Sequence, residues 1–456
     1  MANLTDSNFV NKNKPQVYFS GTVHGNERLG ANVATYLIEY LVTNYGTDPF
    51  VTQLLREREL LITPFVNPQG YYANRREELT DIGQYYDINR DFPYNRQDGD
   101  TRCLSTVGAR ATVQIFRNNF IVGALTFHAG MEIIGYPWGS FNHISVSESN
   151  EITATETPDN QMFARIGGAL QDQVHSSRFK DIPSGEMTDL IYPCYGSLDD
   201  WAYGSSWDTS QNSRVFECSP LTYPPFRNED YFTDVDYIRT SLYIVEASDN
   251  KDPPSSEFGS RGDIFCHDCN SDGWIPRHLR LSLSYFDLIQ PYPVYDFPEY
   301  FTDYESILLT WRLNGCLTIN YMAIEYLLPG ASSYHREPIL QNGLGYCNWQ
   351  NEQTVFEYDL PVEVPMNSEI EILFRIIFRA DQDFANQEHP DPDMSQVTYI
   401  NNLRLVENYS EEVHGRTISN VPRLYSVIVR RTGSGNNVNF AEIDPETNRY
   451  INQFSE

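Results

Sequence analysis

Between residue 16 and about residue 249, short apolar runs alternate with longer stretches of helical period. Residues 16–21, 60–66, 121–127 and 213–216 read as buried strands. Residues 28–45 carry Leu29, Val33, Tyr36, Leu37, Tyr40 and Leu41 at helical spacing, and 107–118 repeat that period. Thr157 and Pro158 are an N-cap and first-turn pair that opens a helix through about Val174, and 229–246 read as a closing helix. Such alternation predicts an α/β domain with a mixed, largely parallel sheet and helices on both faces. The polar, proline-bearing segment after Ala247 reads as a linker over 250–262.

Beyond the linker the period changes. Runs at 278–283, 306–313, 316–325, 369–378, 397–405 and 424–430 are strand-like, rich in aromatics and separated by Pro, Gly, Asn and Asp. They predict a β-sandwich or jelly-roll-like region. The expected organisation is a first domain over 1–249, a β-sandwich over 263–410, and a β extension over 411–456 that is separate or part of the same domain.

Composition narrows the classes. With 40% hydrophobic and 21% charged residues, the chain of 456 reads as globular, long enough for two or three cores. A net charge of −30 argues against a nucleic-acid partner. No apolar run reaches the length of a membrane span, and the first residues lack a secretory signal pattern. Seven cysteines are too few for a disulfide scaffold. Cys266 and Cys269 have no second pair at metal-knuckle spacing, which favours a disulfide within or from that segment. The Arg261-Gly262-Asp263 tripeptide reads as accidental.

Chemistry enters at the strand ends. His24 and Glu27 stand three apart after the first apolar run, and His128 ends the third. Two imidazoles and a carboxylate suit a single Zn2+ and leave a fourth position open for water. Ligands of parallel sheets gather at the carboxyl ends of strands, where His24, His128 and Glu217 are all expected.

Further segments follow in order. They are Asn67-Pro68-Gln69-Gly70, Asp87-Ile88-Asn89-Arg90-Asp91-Phe92-Pro93, Gly135-Tyr136-Pro137-Trp138, Ile191-Tyr192 leading to Gly196 and Asp199-Asp200-Trp201, and Phe216-Glu217-Cys218-Ser219 before Tyr223-Pro224. With His24-Gly25-Asn26-Glu27, this series resembles the zinc metallocarboxypeptidases over roughly residues 15–248, most closely their regulatory, carboxypeptidase N and E branch. The resemblance implies a hydrolase that removes single residues from peptide or protein C-termini, with His24, Glu27 and His128 as zinc ligands and Asp87 orienting a ligating imidazole. It further implies Glu217 as general base, Arg75 as oxyanion stabiliser with Arg76 as the alternative, and Asn89 and Arg90 as the clamp for the terminal carboxylate. Tyr192 corresponds to the tyrosine that closes over substrate. Asp199 stands where relatives carry the pocket-floor residue, and an acid there implies preference for C-terminal Lys or Arg.

Relatives carry more residues before the first ligand, which leads to the expectation of a longer chain lacking its N-terminal elements here. A secreted, extracellular location follows from the resemblance and from the sequons at Asn3 and Asn408. The β-rich region would take a carbohydrate or protein ligand. Two other readings stand beside the enzyme: an extracellular structural or adhesive protein that keeps the domain as a building block, and a zinc deacylase of aspartoacylase type. Tyr192 and the Asp199-Asp200-Trp201 segment speak for the peptidase.

Overall fold

Consecutive residues of a strand face opposite sides of its sheet, and Tyr18 and Phe19 do so here. In a computed structural model of the chain, the Tyr18 ring meets Phe116 edge-on, while Phe19 meets Phe127 and Phe286. The sheet between them is therefore covered on both faces. The structure describes residues 1–7, 14–97, 101–210, 217–219, 226–227, 240–260, 264–266, 271–290, 292–296, 306–340, 345–347, 353–380, 397–400, 403–406, 410–413, 416–419, 424–432, 435–443 and 450–454.

The central sheet has seven strands. They are β1 (Ala2–Leu4), β2 (Gln16–Ser20), β3 (Glu59–Thr63), β4 (Ile121–His128), β5 (Met131–Tyr136), β6 (Ser184–Glu186) and β7 (Ser241–Ser248). Their order is β1-β3-β2-β4-β7-β5-β6. The β3-β2, β2-β4, β4-β7 and β5-β6 pairs are parallel, and β1-β3 and β7-β5 antiparallel. Every residue of β2 and β4 is buried, as expected of strands covered on both faces.

The helices of this unit are α1 (Leu29–Asn44), α2 (Pro49–Glu57), α3 (Pro68–Ala73), α4 (Val107–Asn118), α5 (Asn160–Val174), α6 (Met187–Leu190), α7 (Leu198–Gly204) and α8 (Trp274–Leu288). Helix starts follow local chemistry. Asp48 accepts from the Phe50 and Val51 amides, Asn67 from Gly70, and Thr106 from Ala109, each satisfying otherwise orphaned donors.

Two elements differ from the sequence reading. Part of the expected closing helix, 229–246, is strand β7; residues 229–239 lie outside the described residues, as does the strand expected at 213–216. The run Leu242-Tyr243-Ile244-Val245 is buried between β4 and β5, an environment that favours β-branched and aromatic side chains over helical spacing. The expected strand at 278–283 is the middle of α8, all 15 residues of which are buried. Its alternating polar residues mimic a strand, but several find partners inside. The Arg280 guanidinium donates to Gln173 O, Ile264 O and Asp272, and His278 Nε2–H donates to Ala247 O. Because α8 packs on α1 and α5, the first hydrophobic core runs to Ile289, well past the boundary expected at residue 249.

The remainder is antiparallel. A three-stranded sheet joins β8 (Tyr292–Asp296), β9 (Ser306–Asn314) and β12 (Phe356–Pro361). A larger sheet runs in the order β11 (His335–Leu340), β10 (Thr318–Leu327), β13 (Ser368–Ala380), β14 (Leu424–Thr432), β15 (Gly435–Ile443) and β16 (Tyr450–Phe454). Leu309 and Trp311 of the first sheet share one core with Met322, Ile324, Phe374 and Val427 of the second. The strands beyond residue 411 that reach β16 thus extend the β13 sheet. Residues 261–263 and 408–409 lie outside the described residues. Arg58, fully buried, ties the two units. Its guanidinium donates to Phe286 O, Asp287 O and Gln290 O and lies over the Tyr292 ring.

Candidate metal centre

The chain leaves β2 at Ser20, and the loop to α1 turns back over the sheet. Glycine is required at position 25, because a Cβ there would lie 2.1 Å from the Gly70 carbonyl carbon. This close approach sets His24 and Glu27 beside the end of β4. His24 Nδ1 is 2.9 Å from Glu27 Oε2, His128 Nδ1 is 3.0 Å from His24 Nδ1, and His128 Nδ1 is 3.1 Å from Glu27 Oε2. All three residues are buried.

The triangle fits a divalent cation. Two ring nitrogens and one carboxylate oxygen converge with few protons to share, which is costly in a buried site unless a positive charge lies among them. The N,N,O set is one that zinc takes. His24 Nε2–H donates to Asp87 Oδ1 over 3.0 Å, which turns the Nδ1 lone pair toward the triangle. Burial opposes ionisation of Asp87, but the His24 hydrogen bond and the His24 and Arg76 charges outweigh it and hold the carboxyl below its usual range. Burial pushes His128 down to about 4, so its ring is neutral at pH 7, as a ligand must be.

A cleft of about 200 Å3 opens on the triangle and collects most of the expected residues: Asn89, Arg90, Tyr192 and Asp199 all line it with the three ligand candidates. Asn89 is buried and accepts the Leu198 amide at 2.9 Å, while Arg90 Nη1 donates to Asn89 O at 2.6 Å. Tyr192 is 55% exposed at the mouth of the cleft. Asp199 is 1% exposed, and neither carboxylate oxygen has a hydrogen-bond partner. Its neighbour Asp200 accepts from the Gly139 amide and the Ser197 hydroxyl instead. Burial raises the Asp199 pKa, against the Ser197 hydroxyl, the Asp199 and Asp200 amides and the Arg90 charge, all of which lie near the carboxylate without closing a well-formed hydrogen bond to it.

Arg75 stands elsewhere. Asn74 takes a left-handed φ of 50°, and the chain emerges from α3 with Arg75 turned outward over the Tyr85 ring at 3.5 Å. Arg76 lines the cleft, donating to Asp87 Oδ2 at 3.0 Å and to Glu27 Oε1 at 3.3 Å. An acid that the sequence reading did not single out, Glu246, also lines the cleft. Cys218, the residue after Glu217, is bridged to Cys103, and the Glu217 side chain lies outside the described residues. Glu246 stands at the carboxyl end of β7, paired in register with His128 across the parallel β4-β7 ladder, and lines the cleft. Burial and then the Glu27 charge raise it to about 7.

Glu246 had a signal in the sequence. An apolar run, Leu242 to Val245, ends in an acid, as the run ending at Phe127 ends in His128. Lys251, in the segment read as a linker, also lines the cleft.

The zinc carboxypeptidase family model (Peptidase_M14) matches residues 1–222. Carboxypeptidase D of the rat, Rattus norvegicus, is 28% identical over 200 residues, covering 42% of this chain and 14% of that protein. Carboxypeptidase M of the mouse, Mus musculus, is 26% identical over 209 residues, covering 41% of this chain and 44% of its own. The chain therefore spans less than half the length of either relative. Bovine thrombin-activatable fibrinolysis inhibitor, solved with a tick carboxypeptidase inhibitor, is 15% identical with a TM-score of 0.40, covering 60% of this chain and 81% of its own. Residues 1–222, which hold the His24, Glu27 and His128 triangle at strand ends, are thus similar to the zinc carboxypeptidase family.

Proposed function

We propose that the chain is a zinc-dependent carboxypeptidase that releases one residue from a peptide or protein C-terminus, preferring Lys or Arg. The observation that carries the preference is Asp199, a buried carboxylate without a hydrogen-bond partner in the cleft wall. Such a group is costly unless a cation meets it. A terminal guanidinium or ammonium supplies that cation, and the net charge of −30 draws basic substrates toward the chain.

A zinc ion held by His24, Glu27 and His128 would polarise the scissile carbonyl and acidify a water. The chain's own groups do the rest. Asn89 and Arg90 hold the substrate's carboxylate, Arg90 as a fork, and Tyr192 closes from the rim. Arg76, fixed by Asp87 and Glu27, faces the oxygen on which charge develops. Glu246 takes a proton from the attacking water and returns it to the leaving amine, in place of Glu217. A carboxyl raised to about 7 is matched to both transfers near neutral pH.

An oxidising, extracellular setting is supported by the Cys103–Cys218 and Cys316–Cys347 disulfides. Among the described residues no helix is long and apolar enough to cross a membrane.

The test is zinc content and C-terminal trimming of a peptide library, wild type against Glu246→Gln and Glu217→Gln. The expected result is one zinc in all three proteins and a loss of about 10²- to 10⁴-fold in rate for Glu246→Gln alone. Unimpaired trimming by Glu246→Gln would refute its role, and an absence of zinc would refute the class.

A further inference from the structure

Behind the cleft wall lies a polar cluster with no part in the steps above. Asp208 Oδ2 accepts the Tyr94 hydroxyl at 2.6 Å, the Ser210 hydroxyl at 2.8 Å and His143 Nε2–H at 2.9 Å. Burial opposes ionisation of Asp208, but the His143 and Tyr94 hydrogen bonds, the Ser210 amide and the His143 charge outweigh it and hold the carboxyl down at about 2. His143 ends a 3-10 turn, Phe141–His143, that follows β5, and Asp208 follows α7.

The two segments so joined also build the cleft wall. Gly139 lines the cleft; its amide donates to Asp200 Oδ1 at 2.9 Å, and a Cβ on it would stand 3.4 Å from Asp199 Oδ2. The Gly139 carbonyl accepts the Cys194 amide at 2.7 Å, and the Phe141 and Tyr195 rings lie 4.5 Å apart, so the loop that carries Tyr192 leans on the same segment. The wall is thus tied to α7 and its continuation at two points, Gly139 to Asp200 and His143 to Asp208. Trp138 stands between them. Its indole is stacked on the His143 ring at 3.8 Å and 9°, and a Cβ on Gly204 of α7 would come 2.9 Å from it. Held by Asp208, the imidazole keeps Trp138 against the helix, and the next residue, Gly139, is set beside both pocket carboxylates.

Resting on the carboxypeptidase reading above, we propose that His143 is a positioning residue for substrate recognition. Through Asp208 and Trp138 it fixes the wall segment 139–141, and with it the width of the pocket over Asp199 and the seat of the Tyr192 loop. His143 is not among the residues that line the cleft, so its effect falls on how the terminal residue is held and not on proton transfer. A wall that drifts from Asp199 weakens the grip on a terminal cation more than the grip on a ring, because charge-assisted hydrogen bonds depend steeply on geometry.

The test uses the full chain as wild type, His143→Ala, His143→Gln and His143→Phe, with kcat and KM measured on blocked dipeptides ending in Arg and in Phe. His143→Gln keeps a planar amide over the indole and a donor near the place of Nε2–H, whereas His143→Phe keeps a ring and removes the donor. His143→Ala and His143→Phe are expected to raise KM for the Arg substrate about tenfold with kcat within about twofold, and to lower the Arg-to-Phe ratio of kcat/KM. His143→Gln is expected to stay within about threefold of wild type in KM. Zinc content is expected to be the same in all four proteins, and thermal melts report whether each is folded. If His143→Ala does not fold at the assay temperature, the Gln and Phe variants decide between them. An unchanged KM in His143→Phe, equal losses in His143→Gln and His143→Phe, or a loss shared equally by the two substrates overturns the inference and leaves the functional reading standing. A wild-type chain that trims neither substrate overturns both.

Discussion

Replacing Asp199 by Asn keeps the shape of the pocket floor and removes its charge. Asp199 is 1% exposed, so solvent screens it little, and both oxygens are without partners. A guanidinium reaching them would form charge-assisted hydrogen bonds worth about 1.5–3 kcal/mol each. The amide retains one acceptor, so the loss is about 2–3 kcal/mol for a substrate ending in Arg, or roughly 30- to 160-fold in kcat/KM. A substrate ending in Phe gains instead, because its ring no longer buries an uncompensated carboxylate. The assay is kcat/KM on blocked dipeptides ending in Arg, Lys and Phe, for wild type and Asp199→Asn. A fall shared equally by Arg and Phe, or an Arg-to-Phe ratio that moves less than about threefold, would defeat the charge argument. Stability supplies an independent check. Burial raises the Asp199 pKa above its unfolded value, so its ionisation costs stability once pH exceeds the unfolded pKa. The Asn variant is therefore expected to melt no lower than wild type at pH 7.

Arg76→Ala is expected to lose about 10²-fold or more in kcat while Arg75→Ala stays within a few-fold, read from initial rates at saturating substrate. Equal losses would return the oxyanion role to the outward-facing residue. Asp287, at the end of α8, is raised to about 6 by burial, against the Arg58 charge and the Tyr292 hydrogen bond. An acid with a raised folded pKa contributes most below its unfolded pKa, near 4, and loses that contribution as pH rises through 6. Metal-free wild type should therefore lose up to about 3 kcal/mol relative to Asp287→Asn between pH 4 and pH 7. Melting curves across that range that run parallel for the two proteins would rule this out.

Much of the site was legible because its residues sit where local rules are strong. His128 ends an apolar run and Asp87 precedes a short turn, and order along the chain singled out Asn89, Arg90, Tyr192 and Asp199, which line one cleft with His128. Helix α4 has the bounds its period implies, since Thr106 caps one end and its apolar face meets the sheet. The misses have physical causes. Strand β7 follows a stretch of helical spacing, and only burial between β4 and β5 decides its state. With that strand reading went Glu246, which the sequence reading did not single out and which lines the cleft. Helix α8 alternates like a strand because its polar side chains are satisfied by distant partners such as Gln173 O and Asp272. No local pattern carries that information. Arg75 and Arg76 are distinguished by a single left-handed turn at Asn74.

Helix α8 also bears on how the chain is made. It lies inside the first core, against α1 and α5, yet follows β7 in the sequence. Domains generally fold as units as they leave the ribosome. Here the part of the sheet beneath Phe19 and Phe127 that α8 covers stays open until residue 288 has emerged, although His24 and His128 were synthesised long before. Until then the nascent chain carries an exposed apolar surface beside an incomplete cleft. Closure of the first core thus waits for an element made well after the residues that line the candidate site.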